Sequence, residues 1–275
     1  AMRDPAAAVG KLEQGYLYQF YANKPSASDV SAQSIKILER VLGATGAVDL
    51  ATHPRIKTHI VTARGRGPAG ASSAPVLATA MGAAALGNIA SRQLLSWPFQ
   101  RVVFHSGDKA SPGLEYRDFQ THYSALSATS VTPALHASGA IPFVLKGERN
   151  IPGAPRGQYW DGGIIDYHFD LSDYAGDGLI LYPHFSARIT PGWFDKFLPW
   201  RRATLSEAQK LVLLCPSSHY VAQLPHGKIP DRNDFSRMEY EERVKYWEAC
   251  IEKGKVLAED FAELLTQTDP LKGVN

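Results

Sequence analysis

The stretch "QYWDGGIIDYH", residues 158–168, ends a short apolar and aromatic run on an aspartate followed by two glycines. Asp161 has two readings. In one, its carboxylate accepts backbone N–H groups in a tight turn, as aspartate commonly does. In the other, Gly162 and Gly163 bring the carboxylate close to a reacting group and leave the space beside it open, because a residue without Cβ permits close approach. The second reading makes this the tip of a strand in an α/β fold with a site at its end.

The rest of the chain supports such a fold. It has 275 residues, of which 44% are hydrophobic, enough for one large α/β domain or two small ones with a substantial core. Residues 26–43 carry Ser and Asp at the start, apolar Val30, Ile35, Leu38, Val41 and Leu42, and Gly43 as a stop, which predicts an amphipathic helix. Residues 55–63 and 101–106 read as strands, 74–95 as a helix, and 125–142 as helix-like but broken by Pro133 and Pro142. Two apolar runs, 178–184 and 210–217, have the length of buried strands, and 237–265 shows a long helical stripe with Val244, Trp247, Ile251, Leu257, Phe261 and Leu264. Residues 147–157 and 183–202 read as loops. Strands alternating with helices predict a largely parallel sheet covered on both faces. The division expected is an α/β domain over 1–215 and a helical extension over 216–275 packed on the same domain.

Net charge is +2 with no run of five like charges, so nothing favours nucleic acid. Cys215 and Cys250 suggest neither a disulfide framework nor a metal cluster, and the nine histidines show no ligand spacing; no metal is expected. The start of the chain has no signal-peptide pattern, and Ala1 ahead of Met2 reads as a tag remnant. The uncharged run 74–91 is mostly Ala and Gly, which contribute little to membrane insertion, so it reads as a buried, closely packed helix. A cytoplasmic protein is expected, with peripheral membrane contact left open.

Three further stretches carry chemistry. "GRGPAG", residues 65–70, matches GxGxxG between a strand and a helix, where a nucleotide pyrophosphate could sit. Pro68 removes one of the N–H donors, and no acidic residue follows at the distance a ribose needs. Ser72 and Ser73, at the same turn, could expose a hydroxyl as a nucleophile elbow does, or simply cap the next helix; the elbow's GxSxG spacing is missing. The loop 191–202 interleaves Trp193, Phe194, Phe197 and Trp200 with Lys196, Arg201 and Arg202. Such a mixture suits a bilayer interface, and it equally suits an aromatic loop packed on a sheet edge.

"LHASGAIPFVL" (135–145) followed by a loop and "YWDGG" resembles the C-terminal part of a patatin-like phospholipase domain, and the order of the strands at 55–63 and 101–106 fits. The resemblance covers about residues 50–185. It implies a three-layer α/β fold with a mostly parallel central sheet, and lipid acyl hydrolysis on ester-linked chains without metal or organic cofactor. Asp161 would then be the dyad aspartate, acting directly as general base for a serine nucleophile, with Gly162 and Gly163 shaping its turn. The chain contains no GxSxG. By the resemblance it begins just past the nucleophile helix, with residues 6–20 as that helix's tail, and a fragment is the first expectation. Ser72, Ser73 and Ser138 are the substitute nucleophiles to weigh. The alternatives are a noncatalytic patatin-like remnant that binds lipid or protein through the aromatic–basic loop, and a nucleotide-binding protein using "GRGPAG".

Overall fold

Why a helix-rich chain should place Asp161 at a strand end becomes clear from how the sheet is assembled. The computed structural model of the chain describes residues 2–107, 116, 118–169, 174, 176–201 and 210–272. Helices α1 (Pro5–Leu17), α2 (Ala27–Leu42) and α3 (Gly46–Thr52) precede strand β1 (His59–Gly65). Then come α4 (Ala74–Ala90), β2 (Phe99–His105), β3 (Thr121–Ala125), α5 (Ala128–Ser138), β4 (Glu148–Arg149) and β5 (Gln158–Asp161). Strands β6 (Ile180–Pro183) and β7 (Leu211–Leu214) are followed by α6 (Ser218–Ala222), α7 (Asp234–Arg237) and the long α8 (Tyr240–Thr266).

The chain divides into two compact units. The first comprises Ala1–Tyr16, Tyr21–Ile180 and Arg188–Val212, and the second Leu17–Phe20, Leu181–Ala187 and Leu213–Asn275.

The first unit is built on a five-stranded sheet of order β3-β2-β1-β5-β4. The largely parallel sheet read from the sequence is corrected here: β1 pairs antiparallel with both β2 and β5, β4 with β5 likewise, and only β2 and β3 run parallel. Strand–helix–strand alternation implies a parallel crossover only if the helix carries the chain back to the strand's starting end. Here the excursion through α4 returns to where it left, so that Gly65 faces Phe99 and the Arg66 N–H donates to the Pro98 carbonyl at 2.8 Å. The α4 segment is thus an insertion in a hairpin.

Alternate residues feed two apolar clusters, one on each face. Ile60, Val102, Phe104 and Tyr159 pack with Leu42 of α2, Ala51 of α3, and Val131, Ala134 and Ala137 of α5. On the other face Ala63, Phe99 and Trp160 pack with Leu77, Met81 and Ala84 of α4 and with Ile164 and Ile165. All seven residues of β2 are buried, as expected for a strand covered on both sides.

Two local expectations also change. Helix α5 runs through Pro133 rather than breaking there. A capping box of Ser127 and Ser130 fixes its start, and the complete burial of Val131, Ala134 and Ala137 offsets the hydrogen bond the proline removes. The apolar runs 178–184 and 210–217 are not buried strands of the main sheet: β6 and β7 form a two-stranded sheet of their own, and their residues are exposed or only half-buried.

The second unit gathers Leu17, Leu224, Tyr246, Trp247 and Cys250 into a smaller core. Arg243 of α8 lies inside it, donating to the carbonyls of Leu17 (3.0 Å) and Gln19 (2.6 Å), with its guanidinium 4.1 Å from the Phe235 ring centroid.

Candidate functional site

Asp161 is the last residue of β5 and lies opposite Thr62 of β1. Its own N–H donates to the Ala140 carbonyl at 3.0 Å, which ties the strand end to the segment after α5. Its carboxylate accepts the Gly163 N–H at 2.7 Å and so caps the short 3-10 turn Gly162–Ile164. The residue is half-buried, at the end of a strand whose other residues are buried.

The two glycines do different things. A Cβ on Gly162 would lie 2.8 Å from the Val61 carbonyl carbon and 3.3 Å from the Thr62 nitrogen, and nearer still to the Val61 oxygen. Gly162 is therefore required by the approach of the turn to β1. A Cβ on Gly163 would meet the Asp161 carboxylate at 3.0 Å, so a side chain there would crowd the carboxylate itself.

The substitute nucleophiles are placed as follows. Ser138, the last residue of α5, donates its hydroxyl to the Val61 carbonyl at 2.8 Å, the same carbonyl against which Gly162 packs. It is near the turn, with its proton committed to the backbone. Ser72 accepts from Arg149 Nη1 at 3.2 Å, and Ser73 holds the N-cap position of α4 without a side-chain capping bond. The Gly65–Gly70 turn is folded on itself: the N–H groups of Arg66, Ala69 and Ala71 donate to Pro98, Arg66 and Pro68 carbonyls, and Trp160 Nε1 donates to Ala69 O. A Cβ at Gly65 would strike the Ala69 carbonyl, which accounts for that glycine by packing alone.

The aromatic–basic loop splits into two parts. Trp193 and Phe194 pack against the core beneath α4, while Phe197 and Trp200 are 83% and 68% exposed. Asp195 anchors the loop from a fully buried position by accepting from Asn88 Nδ2 at 2.7 Å and the Gly192 N–H at 3.0 Å. Arg201 donates to the Asn88 carbonyl at 2.8 Å, which fixes the loop at the C-terminal end of α4. Lys196 places its ammonium 3.7 Å from the Tyr167 ring centroid, and Arg202 lies outside the described residues. The expectation of a fully buried α4 is corrected. Leu77, Met81, Ala84 and Asn88 face the core, but Val76, Leu86 and Ile89 are exposed, on a 17-residue helix without a single charge. The run has apolar residues on both sides, so periodicity could not say that only one side is covered. Among the described residues, no helix is long and apolar enough to cross a membrane.

Sequence reasoning passed over the most heavily charged cluster. Arg101 in β2 is fully buried and holds Asp166 through two bonds of 2.6 Å, Asp118 at 2.9 Å and Thr121 at 3.2 Å. Arg92 adds bonds to Asp118 (3.1 Å) and the Ile165 carbonyl (2.9 Å), and the Tyr116 ring stacks 4.1 Å from the Arg101 guanidinium. Burial pushes the Asp166 carboxyl up against the pull of Arg101, whereas Asp118, also opposed by burial, is held below the usual carboxylate range by Arg101 and Arg92. The signal was available: an arginine heading an apolar strand must find a buried counter-charge. The partner, 65 residues away, was not.

His136 is buried, with Nδ1 2.6 Å from Glu148 Oε1. Among the described residues no group of three or more His, Cys, Asp or Glu converges as a metal site requires.

No protein-family model, no curated protein and no solved structure matches the chain.

Proposed function

We propose that the first unit is a three-layer, patatin-like α/β domain serving lipid-ester hydrolysis, with Asp161 as the general base. One observation carries this reading. The Asp161 carboxylate is half-buried at a strand end and oriented by the Gly163 N–H at 2.7 Å, and Gly163 carries no side chain that would crowd it. In the reaction, the carboxylate takes the proton of a serine hydroxyl as that oxygen attacks the ester carbonyl. The proton passes to the departing alcohol, and water then hydrolyses the acyl-enzyme by the same route. Ser138 commits its proton to the Val61 carbonyl, and Ser72 and Ser73 lack the GxSxG context. The dyad is thus represented here by its aspartate.

The test is a fluorophosphonate probe applied to the protein purified from its natural source, with the adduct mapped by mass spectrometry. One adduct on a serine other than 72, 73 and 138, lost in the Asp161→Asn variant, is expected. Labelling that survives Asp161→Asn removes the base assignment, and no adduct at all sinks the hydrolase reading.

A second reading, a noncatalytic module that docks on lipid or a partner chain, rests on a different observation. Phe197 and Trp200 stand exposed on the loop that Arg201 ties to the C-terminal end of α4, a helix without charges, and Lys196 belongs to the same loop. Exposed aromatics with neighbouring cations suit a headgroup layer.

A further inference from the structure

A cleft of about 340 Å³ opens beyond the carboxyl ends of β2 and β3. Its walls come from Ala51, Thr52 and His53 at the end of α3, Lys57 ahead of β1, Gly107 just past β2 and Leu126 just past β3. The volume is in the range that holds small ligands. The position has its own significance. β2 and β3 are the one parallel pair of the five-stranded sheet, and open α/β sheets bind ligands in the crevice outside the carboxyl ends of parallel strands.

The chemistry of the lining has one sign. His53 Nδ1 accepts the N–H groups of Arg55 (3.2 Å) and Ile56 (2.9 Å), so the proton of the neutral ring is on Nε2, and the ring's remaining polar atom is a donor. The Lys57 ammonium lies over the backbone at Gly107, where a Cβ would come within 3.1 Å of Nζ and where φ is +90°. A residue with a side chain would be strained at that φ and would displace the ammonium. Among the described residues Lys57 has no carboxylate partner, and no Asp or Glu lines the cleft. Ala51 and Leu126, both buried, supply apolar side chains to the lining.

We propose that this cleft binds a small oxyanion, a carboxylate or phosphate group on a short apolar body, with Lys57 as the charge partner and His53 Nε2–H as the second donor. The inference does not depend on the reading of Asp161. A cation with no acid partner among the described residues, beside a fixed imidazole donor and two apolar side chains, matches a carboxylate or phosphate headed by a few carbons.

Isothermal titration of the full chain with inorganic phosphate, and separately with hexanoate, tests it. Saturable binding of either probe is expected, and which of the two binds more tightly tells the phosphate source from the carboxylate source. Lys57→Met should weaken it about tenfold or more, the loss of one charge-assisted bond. His53→Asn keeps an acceptor for the Arg55 and Ile56 N–H groups while removing the outer donor, and should weaken binding without lowering the melting temperature. No saturable binding of either probe overturns the proposal. So does binding that Lys57→Met leaves unchanged, because the anion would then be held elsewhere.

Discussion

Arg101→Met is the perturbation for which the structure sets the sharpest expectation. The wild-type guanidinium is fully buried and makes two 2.6 Å bonds to Asp166, whose side chain is 4% exposed. Methionine fills much of the same volume and removes the charge. Among the described residues, Asp166 is then left with Arg92 at 3.6 Å as its nearest cation, and Asp118 with Arg92 alone. Removing one partner of a buried ion pair costs about 3–5 kcal/mol, because the surviving charge is stranded. Replacing both, Arg101→Met with Asp166→Leu, removes the stranded charge and should fall within about 1 kcal/mol of wild type or above it, an interaction energy of at least ~2 kcal/mol. The dependence on pH follows in sign. Without Arg101, burial alone acts on Asp166 and raises its folded value further above the unfolded one, about 3.9. A raised carboxyl favours the folded state below the unfolded value and loses that benefit as pH rises through the folded value, so the single variant is worst near neutrality. In the wild type, the depressed Asp118 stabilises above its unfolded value and loses this as pH falls. Both effects narrow the gap between wild type and variant in acid. Amide exchange of residues 99–105 at pH 7 and pH 4 measures it. A single-variant loss under ~1 kcal/mol, or a gap that does not change with pH, would refute the account of a loaded buried pair.

Gly162→Ala puts a Cβ 2.8 Å from the Val61 carbonyl carbon, and backbone cannot yield as a flexible side chain does; overpacking of this kind costs about 1–3 kcal/mol, read as a lowered urea midpoint. In the second unit, Asp234 accepts from Lys228 Nζ (2.6 Å), the Asp231 N–H (2.9 Å) and Trp247 Nε1 (3.0 Å). Although burial opposes it, these donors hold the Asp234 carboxyl below its usual range, so its contribution is present above about pH 4 and lost as pH falls through the folded value. Asp234→Ala should expose the α8 segment to faster exchange by about 1–3 kcal/mol at pH 7, with the difference closing in acid. If Phe197 and Trp200 dock on lipid, the double substitution to Ser should abolish co-sedimentation with anionic vesicles and leave thermal stability within about 0.5 kcal/mol, since both side chains are exposed. Unchanged sedimentation would remove the lipid surface.

What the sequence made legible was local. The Asp161–Gly163 segment could be recognised as a strand end passing into a turn because its cue is a run of five residues whose conformations determine one another. Helix α2 was readable for the same reason: Ser26, Asp29 and Gly43 mark its ends, and its capping box and Gly43 stop are formed as those residue types dictate. What failed was long-range. Strand direction depended on the chain returning from α4 to the end of β1 it had left, where Gly65 faces Phe99, and no periodicity encodes that return. The Arg101–Asp166 pair depended on two segments meeting across 65 residues, and the open side of α4 on what covers it rather than on its own composition.

The same distinction governs what can be learned at the Asp-Gly-Gly turn. Gly162 is required by the backbone of β1 whether or not the turn takes part in chemistry, so the glycines that drew attention in the sequence cannot decide between a structural turn and a base. Position 161 can. Asparagine keeps an Oδ1 that accepts the Gly163 N–H, so the 2.7 Å capping bond and the 3-10 turn survive while the capacity to take a proton disappears. A loss of probe labelling in Asp161→Asn with an unchanged urea midpoint therefore isolates proton transfer from folding. A fall in stability of about 1 kcal/mol or more would instead show that the carboxylate's charge serves the turn itself.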